Sequence, residues 1–349
     1  NRKGDKMKSF SFTNAKKLLE YIQERDKETH IIFSNYKIIK EISENATPNM
    51  ILCSTSGEFT EHGFSETSIT GFSCKSNIIN VVELSQIPSK GYVNLKNAYA
   101  KVADNPNAFM LLLCDGLAQR EELMLTSLFC INDNFKIIGG SAGDSLEFKE
   151  TYIYIGNRRV FSVALFFQME QRTLLIKENI YKPMGKILSV SNAVPSVRKV
   201  NSFNNLPAAL EFANQLGIEP ERLPDYFMEH PIGQRIGNEI FIASPQVVNE
   251  DNSITFYRRV RSSVQMELLQ PEDPFVSLAN TKKSITFKPS FIFSVHCVLR
   301  SLKFKSENIW NKYSSKLLDL TKNQCGFVSY GEQYYKNHLN QTMVMLVVE

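Results

Sequence analysis

Residues 107–145 read NAFMLLLCDGLAQREELMLTSLFCINDNFKIIGGSAGDS, and this stretch decides the fold. NAFMLLLCDG is a near-continuous apolar run closed by Asp115-Gly116, the pattern of a strand covered on both faces. QREELMLTSLFCI has helical spacing, with Glu121 and Glu122 near its start, where the helix dipole favours acids. FKIIGGSAGDS is a second apolar run, opened at its end by glycines. Strand, helix and strand within about 35 residues make a crossover unit.

The flanks extend this alternation. AKKLLEYIQERDKE (15–28) carries Ala15, Leu18, Leu19 and Ile22 at helical spacing. THIIFS and PNMILCSTSGEF read as buried strands, and LKNAYAKVADN (95–105) as a short helix. YIYIGNRRVFSVALFF reads as a hairpin turning at Gly156-Asn157. Further on, SITFYRRV and SVQMELL alternate like strands, and LPAALEFANQLG is a helix with a glycine stop. SFIFSVHCVLR, CGFVSYG and TMVMLVV are strands around a helix in ENIWNKYSSKLLDLTKN. Pro183, Pro195 and the NSFNN stretch place a junction between them. The expectation is mixed α/β (α+β), in two similar-sized parts over 7–198 and 199–349. Each part has a largely β core flanked by helices, with hairpins at 151–168 and 238–269.

Composition narrows the function classes. The chain has 349 residues, 43% hydrophobic and 22% charged, which suits a globular protein with a sizeable core. Forty basic and 36 acidic residues leave a net charge of only +4. Lys16, Lys17, Arg258, Arg259 and Arg261 are scattered, so no nucleic-acid track is expected. The six cysteines form no CxxC pair, and several sit inside apolar runs, as buried reduced thiols do. No apolar run reaches the roughly 18–20 residues of a membrane span, and the expected setting is cytoplasmic, without membrane insertion. The first residue is Asn1, and Met7 is a candidate natural start.

One pattern recurs. CSTSGEF (53–59), GGSAGDS (139–145) and VSYGEQY (328–334) each put small residues, then Gly and an acid, just past an apolar strand. Taken singly these are turn signals. Taken together they are three strand ends that can converge on one pocket.

The familiar phosphate and metal motifs do not fit. A P-loop needs a lysine after its last glycine, and Asp144 stands there instead. The dinucleotide fingerprint needs GxGxxG leading into a helix, and strand-like YIYIG follows here. Gly139-Gly140-Ser141-Ala142-Gly143 matches GxSxG in form, so a serine hydrolase with Ser141, Asp225 and His230 is one reading, although no helix pattern follows. Among His30, His62, His230, His296 and His338 there is no HExxH, and adjacent His296 and Cys297 point to opposite faces of a strand. His230 precedes Pro231 among aromatic residues, with Arg235 five positions on. A haem would take such a pair as axial ligand and propionate partner, and a carboxylate ligand would also suit Arg235.

At these residues the chain resembles the FIST family, a bacterial sensory module with an N-terminal and a C-terminal part. The first part is carried by Cys53-Ser54-Thr55-Ser56-Gly57-Glu58, Leu113-Cys114-Asp115-Gly116 and Ile138-Gly139-Gly140-Ser141-Ala142-Gly143-Asp144. The second is carried by His230-Pro231-Ile232-Gly233, Gly326-Phe327-Val328-Ser329-Tyr330-Gly331-Glu332 and His338-Leu339-Asn340-Gln341-Thr342. The resemblance covers about 30–349. It implies a small-ligand sensor and not an enzyme, with amino acids as suggested ligands. It also implies signalling with histidine kinases, chemoreceptors or cyclic-dinucleotide enzymes. No such segment is visible in the chain, so signalling in trans is expected. One branch of the family resembles haem proteins that sense nitric oxide and regulate a partner kinase. After His296-Cys297 the family pattern has two small residues and then Arg, and here Val298-Leu299 stand before Arg300.

The expected ligand-binding residues are Glu58, Ser141, Asp144, Arg235, Tyr330 and Glu332. The acids would take an amine, Arg235 a carboxylate and Tyr330 a polar edge. In the haem alternative His230 is the leading axial ligand, with His338 and His296 in reserve. No other cofactor and no metal is expected.

Overall fold

A computed structural model describes residues 7–349. Its element order contains one motif three times. The first copy is β1 (Lys8–Phe12), α1 (Ala15–Gln23), β2 (Glu28–Ser34), α2 (Tyr36–Ser43), β3 (Met50–Ser54), the hairpin β4 (Glu58–Thr60) and β5 (Gly63–Ser65), and β6 (Ile69–Lys75). The second is β7 (Ile79–Leu84), α3 (Pro88–Ala100), β8 (Phe109–Cys114), α4 (Glu121–Phe129), β9 (Ile137–Ser141), the hairpin β10 (Ile153–Ile155) and β11 (Arg158–Val160), and β12 (Ser162–Phe167). The third begins with β13 (Thr173–Asn179).

There the chain leaves for an inserted segment. It holds β14 (Tyr181–Val194), β15 (Lys199–Phe203), β16 (Leu206–Pro207), α5 (Ala208–Leu216), β17 (Ile232–Ile236), β18 (Glu239–Ala243), β19 (Pro245–Val248), β20 (Ile254–Phe256) and β21 (Gln265–Pro271). The third copy then resumes with α6 (Pro274–Ser284), β22 (Phe291–Cys297), α7 (Val298–Ser306), α8 (Trp310–Leu318), β23 (Gln324–Ser329), the hairpin β24 (Glu332–Tyr334) and β25 (Asn337–Leu339), and β26 (Thr342–Val348).

The sheets prove that the copies are equivalent. Their strand orders are β1-β6-β2-β3-β10-β11, β7-β12-β8-β9-β24-β25 and β13-β26-β22-β23-β4-β5. In each, the middle strand of a crossover lies between its parallel partner and the antiparallel returning strand. Each sheet is completed by the hairpin of another copy, so the exchange closes in a ring. β2 with β3, β8 with β9 and β22 with β23 are the three parallel pairs. The crossover read over 107–145 is therefore the second of three.

Local chemistry explains the elements. Asn14 caps α1 by accepting from Lys17 N–H, and Asn35 caps α2 by accepting from Lys37 and Ile38 N–H. The helix read over 95–105 begins earlier, at Pro88, because proline fits the first helical turn where its missing N–H costs nothing. Leu18, Ile22, Ile39 and Ile42 cover one outer sheet face with Ile32 and Leu52. Leu95, Met124, Leu125 and Leu128 cover another with Met110, Leu112 and Phe166. The inner faces meet in an aromatic core. Phe33 stacks on Phe327 at 4.5 Å between ring centroids, and Phe72 touches Phe167, Phe291 and Phe293.

The chain is thus mixed α/β, with β cores flanked by helices. Compactness groups it differently from a division at 198/199. One unit holds the three copies, within 7–178, 278–338 and 343–349, and the other holds 179–277 and 339–342. The physical reason is pairing across the sequence: β4 joins β23, and β24 joins β9. The second unit has its own sheet, β18-β17-β21-β14-β15-β20-β19, with α5 packed on it through Phe212, Ala209 and Ala213.

Candidate functional site

The three Gly-acid segments converge. Each follows the C-terminal end of a parallel strand, where crossover sheets present their loops. Ser56 N–H donates to Val328 O at 3.0 Å, and Gly143 N–H to Ser54 O at 2.9 Å. Ser141 N–H donates to Gly331 O at 2.9 Å, and Tyr330 N–H to Ser141 O at 3.1 Å. One hydrogen-bond net therefore joins CSTSGE, GGSAGDS and VSYGE, and their likeness in sequence is the mark of the repeated corner.

The first and third corners match in detail. Thr55 Oγ1 donates to Glu58 Oε1 at 2.7 Å, and Ser329 Oγ to Glu332 Oε1 at 3.2 Å. Both acids are fully buried. Glu58 Oε2 has no hydrogen-bond partner. Burial pushes the Glu58 carboxyl up to about 8, against the opposing pull of the Thr55 hydrogen bond.

The second corner departs. Ser141 Oγ donates to Glu121 Oε1 at 3.0 Å and accepts from Gln333 Nε2 at 3.2 Å. Gln333 Nε2 also lies 3.4 Å from His338 Nδ1. Glu121, Ser141, Gln333 and His338 are all buried, and Gln333 Oε1 has no hydrogen-bond partner. An amide oxygen left bare in a buried site is costly, so it is an acceptor waiting for a donor.

Asp144 is committed to its own loop. Its carboxylate accepts from the N–H groups of Phe148 (3.0 Å), Lys149 (2.6 Å) and Glu150 (3.0 Å), and from the Tyr330 hydroxyl. Burial alone would raise its pKa, but the Tyr330 bond and the three N–H bonds outweigh that and hold it below the usual carboxylate range. Burial and the Asp144 bond push the Tyr330 hydroxyl up to about 12. The loop is strained: Ser145, Leu146 and Phe148 have φ of 59°, 69° and 52°. The exposed Phe148 ring stacks on Tyr330 at 5.1 Å. We call 144–150 the strap.

The glycines serve close approach. A Cβ on Gly116 would stand 1.8 Å from Ala142 O, and one on Gly140 2.5 Å from Phe327 Cζ.

Arg235 lies in the other compact unit. There its guanidinium pairs with Glu267, Nε to Oε1 at 2.5 Å and Nη2 to Oε2 at 3.1 Å, as a two-point fork. His230 and Asp225 belong to that unit too. His230 Nδ1 lies 2.9 Å from Leu269 O, and Asp225 pairs with Arg222 at 3.7 Å.

For a haem, the histidines differ in fit. His296 is sealed between Phe59 and Trp310, and burial followed by the charge of Arg300 holds its pKa well below the usual imidazole value. His338 is buried against Gln333. His230 is half-buried, with Nδ1 against a backbone carbonyl, an arrangement that would leave Nε2 to meet a haem iron. Among the described residues no group of three or more His, Cys, Asp or Glu is placed to hold a metal ion, and the six cysteines are free. No described helix is long and apolar enough to cross a membrane.

Sequence reading missed Glu121 and Gln333. Glu121 looked like a helix-dipole acid at the start of α4, and Gln333 directly follows the Gly-Glu pair of the third corner. The β9–β24 pairing, which sets Gln333 opposite Gly139, brings Gln333 to Ser141, and the first turn of α4 brings Glu121.

Three crossover units with buried polar strand ends, one of them interrupted by an inserted unit, define a mixed α/β protein. The family model of the FIST N domain matches residues 29–205, and that of the FIST C domain matches 208–335. The chain belongs to the FIST family. No curated protein matches it.

Proposed function

We propose that this chain is a small-ligand-binding sensory protein that signals in trans, to a histidine kinase, a chemoreceptor or a cyclic-dinucleotide enzyme. The observation that carries the reading is the bare Gln333 Oε1 in the buried cluster of Glu121, Ser141 and His338. Buried acceptors at the ends of parallel strands suit a ligand that brings N–H donors. An amino acid or a simple amine has that chemistry, and the site moves from the six residues first expected toward Ser141, Glu121, Gln333 and His338. Signalling follows by population shift, since a ligand that favours one strap position changes the surface a partner meets.

Binding without turnover is the function proposed, because the Ser141 hydroxyl is engaged at both its donor and its acceptor side. The test is a thermal-shift screen of the purified chain against amino acids and simple amines, repeated on Gln333→Leu. A shift that the variant lacks supports this site. No shift with any of these compounds rejects it.

A second reading is a haem-binding nitric oxide sensor regulating a histidine kinase. It rests on the carbonyl-held Nδ1 of His230, which leaves Nε2 as an axial ligand. Arg235 serves it poorly as a propionate partner while forked on Glu267. An absorption spectrum of protein made with ample haem decides: a Soret band lost in His230→Ala supports it, and a colourless protein that refuses added haem ends it.

A further inference from the structure

The three copies act as internal controls on one another. Between sheet and helices, the first and second copies hold hydrocarbon: Leu18, Ile22 and Ile39 in one, Leu95, Met124 and Leu128 in the other. The fold therefore has no need of an ion pair in this layer. Yet the third copy buries Glu178, Thr281, Arg300 and Tyr313 there.

These four residues form one cluster. Arg300 Nη2 donates to Glu178 Oε1 and to the Tyr313 hydroxyl, the latter at 2.8 Å. Tyr313 OH donates to Glu178 Oε1 at 2.6 Å, and Thr281 Oγ1 to Glu178 Oε2 at 2.8 Å. The guanidinium lies over Phe304 and Tyr313, 4.7 and 5.2 Å from their ring centroids. Both Glu178 oxygens are bonded, whereas Arg300 Nε and Nη1 have no hydrogen-bond partner.

Their places in the chain are telling. In the first copy β1 ends at Phe12 and α1 starts at Ala15; in the second β7 ends at Leu84 and α3 starts at Pro88. In the third, β13 ends at Asn179 and α6 starts at Pro274, with the inserted unit between. Glu178 is the last residue before the chain enters that unit, and Thr281 lies in the helix by which it returns. Arg300 and Tyr313 belong to α7 and α8. The only copy that is interrupted is the one with an ionic cluster, and the cluster grips both crossings.

We infer that Arg300, Glu178, Tyr313 and Thr281 form a buried latch that fastens both crossings of the inserted unit to α7 and α8, and that opening this latch is a conformational step of the sensor. A buried ion pair adds little net stability over hydrocarbon but is well suited to a two-state contact, because a half-open pair is strongly disfavoured. The inference holds whichever ligand the Ser141 site takes, since none of its residues is shared with that site.

Amide hydrogen exchange on the full chain tests it, with the near-isosteric variants Tyr313→Phe and Thr281→Val. Each removes a bond to Glu178 without opening a large void. Exchange over 173–179, 274–284 and 298–318 is expected to quicken about tenfold, with α1 to α4 unchanged. Equal acceleration in all three copies would make the cluster ordinary core, and no acceleration would leave it holding nothing. Either result overturns the latch. The two variants are mild enough to fold, and Glu178→Gln adds a stronger arm: the same local pattern supports the latch, and a global one opposes it.

Discussion

The Tyr330 hydroxyl donates to the carboxylate of Asp144, which lies 186 residues away in sequence. The same oxygen accepts from Leu146 N–H at 2.8 Å, so one phenol ties the third corner to the strap of the second. Asp144 N–H also donates to it, at 3.3 Å, and Tyr330→Phe removes all three contacts and keeps the ring. We expect a loss of about 1 kcal/mol and faster proteolysis within 145–149, with the rest of the digestion pattern unchanged. Thermal denaturation and limited proteolysis measure the two effects.

Asp144 also sets a pH limit for the strap. Its pKa is held below the usual value, so its contribution is present above the ordinary carboxylate range and is lost as pH falls through the lowered value. The strap should stay protected at pH 5 and become protease-sensitive in stronger acid. Asp144→Asn should be sensitive already at neutral pH.

Glu58 works in the opposite direction. Its folded pKa, about 8, lies above the ordinary carboxylate value, so its favourable term is complete below that ordinary value and fades as pH rises through about 8. Stability should therefore fall between about pH 5 and 9. Glu58→Gln, neutral throughout, should flatten that slope. Denaturant midpoints across the range check this, and a slope unchanged by the substitution would count against a neutral Glu58.

Gly116→Ala tests the closeness of the corners. The new methyl meets a backbone oxygen, Ala142 O, which has no side-chain freedom to yield. We expect a cost of about 3 kcal/mol or more. Gly140→Ala meets the side chains of Phe327 and Val295 and not backbone, so about 1–3 kcal/mol is expected for overpacking.

The hydrolase reading has a direct check. If Ser141 is a binding residue, Ser141→Ala leaves any hydrolysis of ester probes at the background rate of the unaltered protein. Its effect should fall on the ligand-induced thermal shift.

Much of this protein was legible in its sequence. The apolar run at 109–114, the helix spacing after Glu121 and the run at 137–141 identify a crossover unit without any tertiary knowledge. The Gly-acid recurrence at 57–58, 143–144 and 331–332 marked the three corners, because a repeated backbone geometry selects repeated small residues. What it could not express is partnership. Each hairpin pairs with a sheet of another copy, and strand pairing over such separations leaves no periodic trace. For the same reason the bonds that tie Asp144 to its own loop and Glu121 to Ser141 could not be read from the sequence. The sequence by itself determined the elements, the buried strands and the corners, through hydrophobic period and turn chemistry. Only the tertiary structure decided that the crossovers are three, that one is interrupted by an inserted unit, and which polar groups are left bare. Those outcomes depend on which distant segments desolvate one another, a property of the packed chain and not of any stretch within it.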